Sequence, residues 1–147
     1  MLPLLTEHGF LPVPPAVHRA KLEHLPGCFG SKPKRKQLWD SFLIFVKWLT
    51  ENTPVRQIYM DGRFLSSSDD VAEIEVGIEL TVDLIRNCRL STFNIPAFEE
   101  YSVRVRYFAP HRPEAFNFHE EFQTPDPELR LRDANPGVRK GYILIYL

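Results

Sequence analysis

The chain lacks a dominant charge: eighteen Lys and Arg stand against nineteen Asp and Glu, a formal net charge of -1. A whole-molecule field that draws in nucleic acid or an anionic membrane surface is excluded, and any such preference has to be local. Cysteine is scarce as well. Cys28 and Cys88 are isolated, without a CxxC or a nearby His pair, which excludes a disulfide framework and a zinc site of ordinary spacing. Both are expected as buried free thiols. No apolar run approaches the roughly 20 residues needed to span a bilayer. Residues 1–10 lack the basic start and apolar stretch of a secretory signal, so a cytoplasmic chain with no membrane partner is expected. G-x-S-x-G elbows, P-loops and Rossmann glycine patterns are absent, which leaves hydrolase and dinucleotide-enzyme readings without support.

What is present is the composition of one folded domain, 147 residues with 44% hydrophobic and 25% charged content, long enough to bury a core without staples. Proline is plentiful, and six of the thirteen (Pro3, Pro12, Pro14, Pro15, Pro26 and Pro33) fall in the first 33 residues. Residues 1–30 therefore read as a Pro-rich leader with one short helix, Pro15 to Leu25, packed by Leu4, Leu5, Phe10, Leu11, Leu22 and Leu25 on a domain of residues 31–147.

The strongest helix runs from a Ser31 cap and Pro33 to about Glu51, with Leu38, Phe42, Phe45 and Leu49 at the 3.6-residue period. Val55–Met60 reads as a short strand and Glu73–Leu80 as an alternating one. Val82–Arg89 fits two helical turns with Val82 and Ile85 inward. Ser102–Phe108 alternates, Pro113–Phe122 reads as a short helix, and Gly141–Leu147 as a final strand. The expected class is α/β (α+β), a short mixed β-sheet flanked by helices.

Charge is unevenly placed along this order. Residues 61–83 hold Asp61, Asp69, Asp70, Glu73, Glu75, Glu79 and Asp83 against Arg63 alone. Glu73 and Glu75 face the same side of their strand about 6.7 Å apart, where they repel by roughly 2.5 kcal/mol at an effective dielectric of 20. Water, basic neighbours or a divalent cation such as Mg²⁺ must offset this. Arg104 and Arg106, on a strand that can lie alongside, are the candidate basic neighbours.

An apolar strand leads to Asp61 and is followed by Gly62-Arg63, nine residues from Phe64 to Ala72, then Glu73-Ile74-Glu75. This order resembles the signature of the nucleotidyltransferases of the DNA polymerase beta superfamily: a Gly-Gly or Gly-Ser turn, a spacer, and two carboxylates flanking an apolar residue. More of the chain is similar to one uncharacterised bacterial group in that superfamily, a domain of unknown function. The shared points are Leu11-Pro12 with Pro14-Pro15, Asp61-Gly62-Arg63-Phe64, Glu73-Ile74-Glu75, Phe122-Gln123 and Lys140-Gly141-Tyr142-Ile143. The resemblance implies a nucleotidyltransferase-like fold and Mg²⁺-dependent transfer of a nucleotidyl group from an NTP to a protein or nucleic-acid acceptor. Gly62 and Arg63 would be nucleotide-binding, and Glu73 and Glu75 would be the catalytic, metal-holding pair.

Three departures point to a rival. Arg63 stands where the superfamily has Ser, Glu73 replaces the first Asp, and the later strand offers Arg104 and Arg106 where a third carboxylate belongs, with Glu99 and Glu100 only before it. A methylene shifts a carboxylate by about 1 Å, when productive geometry is held within about 0.5 Å. The rival is a catalytically inactive member that serves as a binding or regulatory partner in a toxin-antitoxin, phage-defence or counter-defence system. A third reading is a nucleic-acid-binding module using the basic run Lys32 to Lys36 and Arg104 to Arg112. His119, beside Glu120 and Glu121, reads as part of an exposed helix face.

Overall fold

The computed structural model describes residues 2–7, 9–87, 100–125 and 139–147. Its frame is a mixed five-stranded sheet with helices on both faces, as the order of sequence periods predicts. The strands are β1 (Val17–Lys21), β2 (Gln57–Asp61), β3 (Ile74–Glu79), β4 (Val103–Phe108) and β5 (Tyr142–Tyr146), in spatial order β1-β5-β2-β3-β4. β2 runs antiparallel to both of its neighbours, while β1 with β5 and β3 with β4 are parallel pairs.

Alternation divides the sheet into two unlike faces. Ile58, Met60, Ile74, Val76, Ile78, Val103, Val105, Ile143 and Ile145 join one buried cluster with Phe42, Phe45 and Leu49 of the long helix α2 (Pro33–Asn52). Pro33 fixes the start of that helix. The residue before a proline is driven to extended backbone, so Lys32, at φ -90° and ψ 147°, is the N-cap in place of Ser31, and no side chain caps it. At the other end Thr53 Oγ1 donates to the Leu49 carbonyl at 2.6 Å, and Pro54 prevents continuation.

The opposite face carries Tyr59, Asp61, Glu75, Gly77, Glu79, Arg104, Arg106 and Tyr142, and its middle is covered by the short helix α4 (Phe118–Phe122). Pro113–Phe122 was expected to be helical throughout, yet the helix begins where Asn117 Oδ1 accepts from the His119 amide at 3.0 Å. Gly77 makes room for it: a Cβ there would lie 2.5 Å from Phe118 Cε2. Gly77→Ala is expected to cost about 1–3 kcal/mol by overpacking, read as a lower urea midpoint with an unchanged m-value.

The leader departs most from its sequence reading. In place of a helix over Pro15–Leu25 it forms β1, a 3₁₀ turn Leu22–His24 and α1 (Leu25–Phe29). Backbone bonding along the open edge of β5 outweighs local helical pattern, and Pro26, just past the expected helix, sits in the first turn of α1, where a missing N–H costs nothing. Cys28 is exposed rather than buried, because so short a helix buries only Leu25 and Phe29. Val82, expected inward, is exposed in α3 (Val82–Asn87), and Leu84 makes the contact with the core. Cys88, Arg89 and Glu99 lie outside the described residues.

Candidate functional site

Asp61 closes β2 opposite Glu75 of β3, and Glu75 in turn lies opposite Arg104 of β4. These ends of three strands floor a cleft of about 550 Å³ that Glu121 and Phe122 of α4 also line. Gly62, Arg63, Glu73 and Glu75, the residues singled out from sequence, all line it. Gly62 turns the chain with φ +89°, and a Cβ there would come within 2.9 Å of Glu75 Oε2, so both the backbone and the close approach call for glycine.

Each carboxylate in the cleft has a cation beside it. Arg104 Nη1 lies 3.7 Å from Glu73 Oε1 and 3.7 Å from Glu75 Oε1, placing the guanidinium between the two acids. Arg106 pairs with Glu121 of α4 at 3.5 Å. Arg63 Nη1 donates to Asp70 Oδ2 at 2.6 Å. The deepest pair is Lys140 with Asp61, both buried. Burial pushes the Asp61 carboxyl up to about 6, Lys140 opposing and Glu75 adding to the shift. The Glu75 carboxyl also rises, first from burial, with Lys140 and Arg104 opposing and Glu73 adding.

Asp61 and Lys140 are functional candidates that sequence reasoning passed over. Both sat inside recognised segments, Asp61-Gly62 and Lys140-Gly141, but nothing local showed that residues 79 positions apart meet. Two neighbours fix the lysine. Its own amide donates to the Gln123 carbonyl at 3.0 Å, and the Gly141 amide donates to the Leu11 carbonyl at 2.9 Å. His18, against Gly141, donates from its ring Nε2–H to the Pro12 carbonyl at 2.8 Å. Leader residues thus help to set the cleft.

The basic run at the start of α2 is not one surface. Arg35 is buried and donates to five carbonyls: Phe29 at 3.3 Å, Arg63 at 3.2 Å, Phe64 at 2.5 Å, Ser66 at 2.8 Å and Ser68 at 2.5 Å. Its guanidinium also lies over the Phe64 ring. It winds residues 63–68, one wall of the cleft, around itself. Lys32 pairs with Asp69. Helical phase could have flagged Arg35, which stands three and seven residues before Leu38 and Phe42 on the buried stripe.

His119 is not on an exposed face either. Its ring is half-buried, with Nδ1 2.5 Å from Tyr142 Oη and Nε2 2.5 Å from Glu79 Oε1, and it meets Tyr59 edge-on. The Tyr142 hydroxyl is pushed up to about 12, chiefly by burial, so it stays protonated in this network. His119 therefore pins α4 to the sheet above the cleft.

Among the described residues, no group of three or more His, Cys, Asp or Glu side chains is placed to hold a metal ion. No described helix is long and apolar enough to cross a membrane. Neither the curated proteins nor the solved structures contain a match to this chain. The profile described as "Family of unknown function (DUF6932)" covers residues 3–145, nearly the whole sequence, and the chain belongs to that family.

Proposed function

We propose that this chain is a nucleotidyltransferase-like protein that has exchanged metal-dependent transfer for binding, and acts as a regulatory or interaction partner through the cleft. The observation that carries this reading is Arg104, whose Nη1 stands 3.7 Å from both Glu73 and Glu75. A guanidinium beside both carboxylates supplies one of the two positive charges that Mg²⁺ would bring and occupies the space near them, and the third acid, Asp61, is engaged by Lys140. Two arginine-paired acids and one lysine-paired acid are a poor donor set for a divalent ion that needs six oxygens in near-octahedral array. The residues present do not fit the metal that the resemblance implies.

Mg²⁺-dependent nucleotidyl transfer to a protein or nucleic acid is the second reading. Its support is that Gly62, Arg63, Glu73 and Glu75 share one cleft, with the Gly62 turn against the Glu75 carboxylate. Thermal unfolding separates the two. Binding at 100 times Kd would add about 2.7 kcal/mol, so an enzyme should show a clear rise in Tm with millimolar NTP and Mg²⁺, lost in Glu75→Gln. The binding reading expects no Mg²⁺-dependent rise, and a change of less than about 1 kcal/mol in Glu75→Gln, the scale of a partly exposed ion pair.

A further inference from the structure

Arg104 and Arg106 alternate on β4 and both project into the cleft. Among the described residues their side-chain ion pairs are long, 3.7 Å to Glu73 and Glu75 and 3.5 Å to Glu121, beyond the 2.7–2.9 Å of a charge-assisted hydrogen bond. Arg63, by contrast, donates to Asp70 at 2.6 Å. The two β4 guanidiniums are held near carboxylates by charge while their N–H forks stay available. Both are partly exposed, with relative side-chain exposures of 49% and 31%. Phe116 lies 5.7 Å from the Arg106 guanidinium and steadies its plane.

Extending the binding reading above, we infer that Arg104 and Arg106 form an oxyanion site that takes a phosphate monoester or pyrophosphate group directly, without a metal. The fork of a guanidinium matches phosphate bidentately, and two forks on alternate residues of one strand can close on a single group. A dianion is required rather than a single carboxylate. The ligand has to draw Arg104 from two acids and Arg106 from a third, and a phosphate monoester brings a charge of about -1.5 to -2 with three acceptor oxygens. The site shares the cleft with the Gly62-Arg63 turn and adjoins it through Glu75, which lies 3.7 Å from Arg104 Nη1 and packs against Gly62. Phe122, Pro125 and Phe10 offer apolar walls for the remainder of the ligand.

The test uses the full chain at constant ionic strength, first in EDTA and then with Mg²⁺ in place of EDTA. Inorganic phosphate and pyrophosphate are titrated while the Arg Nε–H resonances and Tm are followed. Pyrophosphate is expected to shift the Arg104 and Arg106 signals saturably. Arg104→Gln and Arg106→Gln should each weaken binding about tenfold or more, the size of a lost charged hydrogen bond. Arg104→Lys should recover part of it, since charge returns without the fork, and Lys34→Gln, at the exposed start of α2, should change nothing. The inference is overturned if neither anion binds, or if both arginine variants bind as well as the parent chain. If Mg²⁺ also remains without effect in that case, the metal-independent reading stands alone. A pyrophosphate response that requires Mg²⁺ and vanishes in Glu75→Gln overturns both.

Discussion

Replacing Lys140 with methionine is expected to destabilise the protein by about 3–5 kcal/mol at neutral pH, the usual cost of leaving one member of a buried ion pair without its partner. The orphan is Asp61, which is 3% exposed and already titrates near 6 because burial outweighs the help of Lys140. The pH dependence has a definite sign. A carboxyl whose folded pKa lies above its unfolded value binds protons more tightly when folded, so stability rises as pH falls from about 6 toward 4 and is level above 6. The Lys140→Met cost should shrink at pH 5, since a protonated Asp61 needs no counter-charge. The double variant Asp61→Asn/Lys140→Met should recover most of the loss at pH 7.5, because neither change then leaves a buried charge. Urea unfolding at pH 5 and 7.5 checks all three statements. An equal cost at both pH values would mean that Lys140 acts through packing alone.

The second large effect belongs to Arg35. Arg35→Met keeps the aliphatic stem but removes every donor, leaving the carbonyls of Phe29, Arg63, Phe64, Ser66 and Ser68 to find new partners. Each buried group left unsatisfied costs about 1–3 kcal/mol; the loop can relax toward water, so a total of about 3 kcal/mol is expected. Arg35→Lys should fall between, since one ammonium cannot reach so wide a ring of oxygens. Amide exchange supplies the local reading. In both variants residues 63–68 should lose protection well beyond what a comparably destabilised core variant such as Val46→Ala shows. Evenly spread loss of protection would contradict a local role for Arg35 in shaping the cleft wall.

Much of this architecture was legible from residue order. The 3.6-residue stripe of Leu38, Phe42, Phe45 and Leu49 and the alternation of Ile74, Val76 and Ile78 each match one physical period to one buried face, and both elements stand where that match placed them. The leader was not legible in the same way. Whether Val17–Lys21 becomes strand or helix depends on an open edge of β5, more than 120 residues away in sequence. The site divides along the same line. Glu73, Glu75, Gly62 and Arg63 could be found because they are close in the chain. Arg104 and Arg106 were legible as basic neighbours of the acidic pair from the alternation of their strand, but that Arg104 meets both acids while Arg106 meets Glu121 required the register, and the Asp61–Lys140 pair required the whole sheet. Arg35 and His119 looked like surface charges because their neighbours in sequence are charged. Their burial follows from helical phase in one case and from the aromatic bed of Tyr59, Phe118 and Tyr142 in the other.

The cleft thus gathers Asp61, Glu73 and Glu75 at one sheet end and sets Lys140 and Arg104 against them. Its central claim, that Arg104 takes the place of a divalent ion between Glu73 and Glu75, is open to one direct measurement. Mn²⁺, a paramagnetic stand-in for Mg²⁺, is added at stoichiometric and then tenfold excess, and line broadening of the Ile74, Glu75 and Val76 amides is followed by NMR. The expected result is no selective broadening in the parent chain. Saturable broadening centred on these amides and abolished by Glu75→Gln would place a metal where the guanidinium stands, and would contradict the claim.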